Sequence, residues 1–396
     1  MHNFNSTNAE LENKFVKNNK QILNHFFKTS DVESFWIADM DFEIAEPIKK
    51  EIQRLANRNV YAYEFSSSEM FEAMHNWFKR RHQLDLNANH FIQLPSVISG
   101  ISMLISEYTQ EGDGILIQTP VYHMFNTLIN NINRKVINNP LIYAKGEYSI
   151  DFKDLEEKFA SGEVKMMLFC NPHNPIGKVW TKEDVEKILA LSNRYNVRLI
   201  SDEIHGDITF LDRHYCSLMS LDAKDHFALI GSTAKTFGMQ SISNGFIYIP
   251  SAANFSKMKQ KVSGMFLDHG NTFTTFATIA AYKHGEEWVE ELKIYLIEII
   301  HLIQTFLQKE LPQVKVIPVE GTYQMWLDFS GLGYSSSELK ERILNNAKIG
   351  LAFGDWFDKS GNHDQFARFN FASRKDKIEK ALNTLKTALV EDHGSK

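Results

Sequence analysis

Cysteine is nearly absent: the chain carries two in 396 residues, Cys170 and Cys216. A secreted disulfide framework is therefore not expected, and no closely spaced Cys/His set suggests a metal, so none is assigned. Charge of one sign is not in large excess either. With 43 Lys+Arg against 49 Asp+Glu the formal net charge is -6 and the pI about 6.2. That mild acidity gives no electrostatic reason to expect nucleic acid or an anionic membrane as partner. Long hydrophobic runs are missing. The most apolar stretch, Ile294–Ile303, is far shorter than the ~20 residues of a membrane span and is interrupted by Glu298 and His301. A core helix accounts for it better. The opening MHNFNSTNAELENKF has no apolar segment of the signal-peptide kind, so the expectation is a soluble cytoplasmic protein. Internal repeats and low-complexity tracts are absent too.

What remains is ordinary globular composition, with 43% apolar and 23% charged residues. At ~100–200 residues per domain the length suggests two or three domains. Residues 1–34 are polar and weakly periodic, a leading arm or short helix. From about residue 110 short apolar runs alternate with amphipathic segments: GILIQTPV (114–121), VKMMLFCNP (164–172), VRLISDEI (197–204), FALIGSTA (227–234) and GFIYIP (245–250). Consecutive apolar positions are expected of strands covered on both faces. Between two of them, TKEDVEKILALSNRYN (181–196) begins with a capping-box pair, Thr181 and Asp184, and carries an apolar stripe through Val185, Ile188 and Leu189. Strand–helix–strand repetition predicts an α/β fold with a mostly parallel, doubly wound sheet.

After Gly285 a long helical pattern runs through Trp288, Leu292, Tyr295, Leu296, Ile299, Ile303 and Phe306 to Pro312. VKVIPVEGTYQMWLDF (314–329) and QFARFNFA (365–372) then read as strands. RKDKIEKALNTLKTALV (374–390) reads as a terminal helix with Ile378, Leu382, Leu385 and Leu389 inward. The division expected is an arm with part of the small domain (1–45), a large α/β domain (46–285) and a smaller α+β domain (286–396).

Ligands of open α/β sheets sit at strand ends, so the residues just beyond the apolar runs matter most. They are Asp202 with Glu203 and His205, Lys235 after Ser232, and Asn174 in the proline-bounded NPHNPIG turn. A lysine, a carboxylate and a neutral amide converging on one sheet edge suit pyridoxal 5'-phosphate (PLP). The amine condenses with the aldehyde, the acid keeps the ring nitrogen protonated, and the amide steadies the phenolate oxygen.

NPHNPIG, SDEIHGD and STAKTF resemble the fingerprints of fold-type I PLP enzymes of the aminotransferase class I/II superfamily. WIADMDF (36–42), VYAYEF (60–65), PVYHMF (120–125), SDEIH, GTYQMWLDF (321–329) and RFNFA (368–372) resemble, more narrowly, its cystathionine β-lyase-like C–S lyases. The resemblance covers nearly the whole chain after about residue 35. It implies an aspartate aminotransferase-like fold, with a large PLP-binding domain on a seven-stranded type of sheet and a smaller α+β domain.

By that resemblance Lys235 is the Schiff-base lysine and general acid/base, Asp202 partners the pyridinium nitrogen, and Asn174 the phenolic oxygen. Tyr122 lies over the ring, and His205 stands near the site. Ser232 and the presumed helix start at Ser99, Gly100 and Ile101 hold the phosphate, with Tyr63 reaching in from a second subunit of a homodimer. Arg368, costly in an apolar strand unless paired, grips the substrate's α-carboxylate, and Trp36, Ile37 and Ala38 line the substrate entrance. Two departures stand out. Position 243, where many aminotransferases carry a phosphate-pairing arginine, is Ser243, and Gly238–Met239–Gln240–Ser241 differs from the branch's usual residues. The activity implied is α,β-elimination on a sulfur-bearing amino acid. Spacing alone leaves amino transfer open, because both reactions share the Cα carbanion; a non-catalytic PLP-fold regulator ranks lower.

Overall fold

The apolar runs assemble into one seven-stranded sheet. In the computed structural model, which describes residues 2–5, 14–64, 67–210, 215–222 and 226–390, its strands are Phe91–Leu94 (β1), Gly114–Ile117 (β2), Lys135–Asn138 (β3), Val164–Cys170 (β4), Arg198–Asp202 (β5), Phe227–Ser232 (β6) and Gly245–Tyr248 (β7). Their order is β1-β7-β6-β5-β4-β2-β3. The pairs β6/β5, β5/β4, β4/β2 and β2/β3 are parallel. Strand β7 runs against both its neighbours, β1 and β6, so the run 245–250 is the antiparallel exception in a mostly parallel sheet. Every residue of β2 and β6 is buried, as double-sided cover requires. Both edge strands escape the apolar-run reading. In β1 the buried Gln93 breaks the run, and β3 has no fully buried residue.

Local chemistry sets the helix ends. Thr181 Oγ1 accepts from the Asp184 N–H at 3.2 Å while Asp184 Oδ2 accepts from the Thr181 N–H at 3.2 Å. This closed capping box starts Lys182–Tyr195, and Asn196 ends it in the left-handed conformation (φ 54°). Val185 and Ile188 are fully buried, and the helix carries the chain from β4 back to β5, the crossover that parallel pairing demands.

The expected long helix spans Glu286–Glu310. Within it Leu296, Ile299 and Ile303 are buried while Ile294 faces out; no helix of the described residues is long and apolar enough to cross a membrane. A second, antiparallel sheet follows in the order Lys315–Val316, Gln324–Asp328, Phe366–Asn370, Ala352–Phe353. The helix Lys375–Val390 packs with Ile378, Leu382, Leu385 and Leu389 buried, as the stripe predicts.

Residues 14–34 carry more regular structure than their polar composition suggests. Asn19 caps the helix Lys20–Phe27 by accepting from the N–H groups of Gln21 and Ile22. Glu33–Ser34 then pairs in parallel with Ile349–Gly350. The start of the chain is thereby fastened to its last quarter.

Candidate active site

Strand β6 ends at Ser232 and the chain turns at once into the short helix Thr233–Phe237. Ser232 makes that turn: its Oγ accepts from the Ala234 N–H at 3.1 Å and donates to the Asn244 carbonyl at 2.7 Å. Lys235 is held at the sheet's end, half-buried, its amine donating to the Ala38 carbonyl. Burial pushes that amine down to about 8. Asp39 opposes the shift, Arg368 adds to it and Asp202 opposes it.

Asp202 closes β5 and is buried, with Oδ1 accepting from the Ile204 N–H at 3.2 Å. Burial raises its carboxyl to about 6; the Ile204 N–H opposes, Glu203 adds, and Lys235 opposes. The Asn171 N–H donates to the Asp202 carbonyl at 3.0 Å, lacing the NPHNPIG turn to this strand end. Asn174 follows in the same turn and is buried.

Arg368 sits mid-strand opposite Trp326 in the second sheet and is 4% exposed. Its Nη1 donates to Asn174 Oδ1 at 2.9 Å and its Nη2 to the Trp36 carbonyl at 2.6 Å. The guanidinium lies 4.9 Å from the Phe357 ring centroid. No acceptor meets the buried Nε, and burial lowers the pKa to about 10, against the pull of Tyr122 and Tyr323. A buried cation without a carboxylate is a binding element for one, because its desolvation is otherwise uncompensated.

Around these groups the remaining expectations sort themselves. His205 is buried with its Nδ1 unpartnered and its ring edge-on to Tyr323 at 5.8 Å. Burial, with the Lys235 and Arg368 charges, lowers it to about 3, so it is neutral. Tyr122 is half-buried and interacts electrostatically with both Arg368 and Asp202. Trp36, Ile37 and Ala38 contribute carbonyls: they accept from Arg368, Asn370 and Lys235 respectively. The three residues form a backbone collar at the site.

Two expectations do not gather there. Tyr63 is 95% exposed and stands apart from Lys235 within one chain. The phosphate helix does not begin at Ser99–Gly100–Ile101; it spans Val97–Tyr108 with Ser96 as its cap. Ser99 closes a capping box with Ser96, the Gly100 N–H already bonds the Ser96 carbonyl at 3.2 Å, and Gly100 and Ile101 face the sheet core. The N–H groups left without an intrahelical acceptor are those of Val97 and Ile98. They lie beside Ser232 because Gly245, paired with Ser232 in the β7/β6 ladder, has no side chain; a Cβ there would stand 2.5 Å from the Val97 nitrogen.

Three contributors escape the sequence reading. Tyr323, fully buried, donates its hydroxyl to the Ala38 carbonyl at 3.2 Å, the acceptor that also receives Lys235. Lys17, buried, pairs with Asp39 at 3.3 Å and with Asp41. Burial raises Asp39 against the pull of Lys17 and Lys235; burial also acts on Asp41, but Lys17 and Lys377 hold it at about 2. The signal for Asp39 was present, a carboxylate inside WIADMDF directly after the collar. Lys17 gave none.

These residues fit PLP. A buried carboxyl lacking a cation suits a pyridinium, an amine of lowered pKa suits an aldehyde, and free helix N–H groups next to Ser232 suit a phosphate dianion. Among the described residues no group of three or more His, Cys, Asp or Glu side chains is placed to hold a metal ion.

A lysine at the end of a mostly parallel sheet, near a buried carboxyl and an arginine that has no carboxylate partner among the described residues, is an arrangement suited to a PLP-dependent α/β enzyme. The chain belongs to the aminotransferase class I and II family, whose model matches residues 32–385. It is 32% identical to the cystathionine beta-lyase PatB of Bacillus subtilis over 391 residues, 98% of this chain and 100% of that one. The PLP-bound C–S lyase from Staphylococcus hominis is 28% identical with a TM-score of 0.90, covering 99% of each chain. Cystalysin from Treponema denticola, which contains PLP, is 26% identical with a TM-score of 0.89, covering 98% of this chain and 99% of that one.

Proposed function

We propose that the protein is a PLP-dependent carbon–sulfur β-lyase that converts cystathionine or related cysteine S-conjugates to a thiol, pyruvate and ammonia. The observation that carries this reading is the buried, carboxylate-free Arg368 fork anchored on Asn174 in the same chamber as Lys235 and Asp202. Similarity to PatB and to the Staphylococcus hominis C–S lyase supports sulfur chemistry on that frame.

When bound, PLP supplies an aldehyde that takes up an amine and a ring that accepts the electron pair released at the substrate's Cα. Arg368 holds the α-carboxylate through its two-pronged fork, fixing the Cα–H bond with respect to Tyr122 on the ring face. Lys235, with an amine near 8, takes the Cα proton and is well matched to neutral pH. Asp202 keeps a proton at the ring nitrogen, and Asn174, whose Oδ1 is occupied by Arg368, has its amide N–H groups for the phenolic oxygen. The Cβ–S bond then breaks with its electron pair leaving on sulfur, and the proton Lys235 removed from Cα goes to that sulfur to give the thiol. The released aminoacrylate adds water and yields pyruvate and ammonia.

Val97 and Ile98 hold the phosphate without an arginine at position 243, and Ser232 joins them when its hydroxyl turns from the Asn244 carbonyl to the anion. The same reading assigns 46–285 to the cofactor-binding domain, and 286–396 with the arm 1–45 to the smaller one. Two buried free thiols, Cys170 and Cys216, suit a cytoplasmic setting.

Incubating holoenzyme with cystathionine tests the reading. Thiol and pyruvate release in equal amounts, without any keto acid present, is expected. Amino transfer to a keto acid with no pyruvate formed would instead establish the aminotransferase alternative.

A second copy of the chain completes the site in this reading. Val60, Tyr61 and Tyr63 are 72%, 57% and 95% exposed, and Met265 and Phe266 57% and 70%. Tyr61 and Tyr63 share a largely polar cavity with Asp268–Thr272, and exposed large apolar side chains of this kind mark an interface. Sedimentation should give twice the 45.7 kDa chain mass; a monomer with full activity would remove Tyr63 from the site.

A further inference from the structure

We propose that the cavity bounded by Phe26, Tyr122, His123, Trp356 and Phe357 receives the sulfur-borne substituent of the substrate and selects neutral aromatic or branched apolar S-conjugates over cystathionine. This inference rests on the β-lyase reading above and names the substrate class of the same site.

The cavity measures about 280 Å³. It shares two walls with the reaction chamber. Tyr122 borders it, and so does Phe357, whose ring carries the Arg368 guanidinium on its face at 4.9 Å and whose carbonyl receives the Val121 N–H at 3.2 Å. A substituent leaving Cβ beside a carboxylate held on Arg368 therefore has this space next to it.

Thr119, Asn126 and Thr127 give the lining a polar side, but its aromatic side, its size and its charge point the same way. An apolar cavity of about 150 Å³ suffices for benzene, so a benzyl or branched alkyl group fits. Phe26, 47% exposed at the rim, meets Trp356 at 5.4 Å between ring centroids, and Trp356 meets His123 at 6.4 Å. Aromatic edges of this sort are favourable partners for a thioether sulfur. His123 does not add charge: burial, with Arg368 and Lys359 nearby, lowers it to about 4, and its Nδ1 has no partner.

The charged side chain on the lining is Lys359, and no carboxylate lines the cavity among the described residues. Cystathionine would bring both an ammonium and a carboxylate into this space; Lys359 can meet the carboxylate, but no anion on the lining receives the ammonium, which must give up its water unpaired. A neutral apolar substituent has no such penalty.

The test compares kcat/KM for pyruvate release from S-methylcysteine, S-benzylcysteine and cystathionine, using wild-type holoenzyme and Phe26→Glu, a substitution at a half-exposed rim position. Wild type should favour S-benzylcysteine over cystathionine by roughly 10- to 100-fold. In Phe26→Glu, the new carboxylate should lower the benzyl-to-cystathionine ratio at least about tenfold. Wild type showing no benzyl preference, or a ratio unchanged in the variant, overturns the cavity assignment while the lyase reading stands. No pyruvate from any of the three with wild type overturns the lyase reading itself, and this inference with it. Retention of the cofactor's absorbance and of circular dichroism verifies that the variant is folded and loaded.

Discussion

Lys235→Ala is expected to lose thiol and pyruvate release by at least roughly 10²–10⁴-fold, the range for removal of a positioned acid–base group, while keeping the fold. The amine's hydrogen bond goes to a single carbonyl, that of Ala38, which Tyr323 also serves. Its pKa is depressed chiefly by burial, so the folded chain gains little from its charge and an alanine costs little. A thermal midpoint close to wild type should accompany the lost activity.

The same depressed pKa gives a pH signature in cofactor-free protein. The neutral amine is the nucleophile, so the rate of PLP capture should climb with pH, bend near 8 and level above it. An ordinary lysine would still be climbing at about 10. Absorbance on mixing reads this rate, and the variant should show no such step. Borohydride trapping and peptide mapping supply the decisive check. Label on another lysine, or undiminished pyruvate release from the variant, would refute the assignment.

Arg368→Ala should lower kcat/KM by roughly thirtyfold to several thousandfold. Truncating one partner of a buried, hydrogen-bonded charge pair costs about 2–5 kcal/mol, and each ~1.4 kcal/mol is tenfold. Arg368→Lys keeps the charge but cannot span Asn174 and the Trp36 carbonyl together, so it should recover only a small part. A second comparison separates carboxylate binding from general damage. Wild type should discriminate strongly between S-methylcysteine and its decarboxylated amine, and Arg368→Ala should not. Persistence of that discrimination in the variant would move the carboxylate site elsewhere.

How much of this is legible in the sequence differs from residue to residue. Lys235, Asp202 and Asn174 are readable because each directly follows a run of consecutive apolar residues, and such runs end where a parallel sheet presents its ligands. Arg368 is readable as a charge misplaced in FARFNFA. The start of the helix expected to hold the phosphate is misread by two residues because Ser99 looks like a beginning; its hydroxyl instead turns back on Ser96, and the free N–H groups move to Val97 and Ile98. Edge strands β1 and β3 leave weaker traces, since one carries a buried glutamine and the other has no fully buried residue. Lys17 is invisible altogether. A lysine in a polar arm becomes a buried partner of Asp39 only through tertiary contacts, and no local pattern encodes those.

The bond between Arg368 and the Trp36 carbonyl joins positions 332 residues apart. During synthesis the large sheet ends at Tyr248 and already contains Lys235 and Asp202, whereas on the proposed reading the grip on a substrate carboxylate waits until the final strand emerges and finds the collar. Doubling a loop's length adds only about 0.6 kcal/mol to its closure, so this late handshake is slow to become available rather than costly to make. On that reading chemical competence is conferred last, when segments from both ends of the polypeptide have met, and a truncated product would bear the Lys235 amine without the arginine proposed to orient a substrate against it.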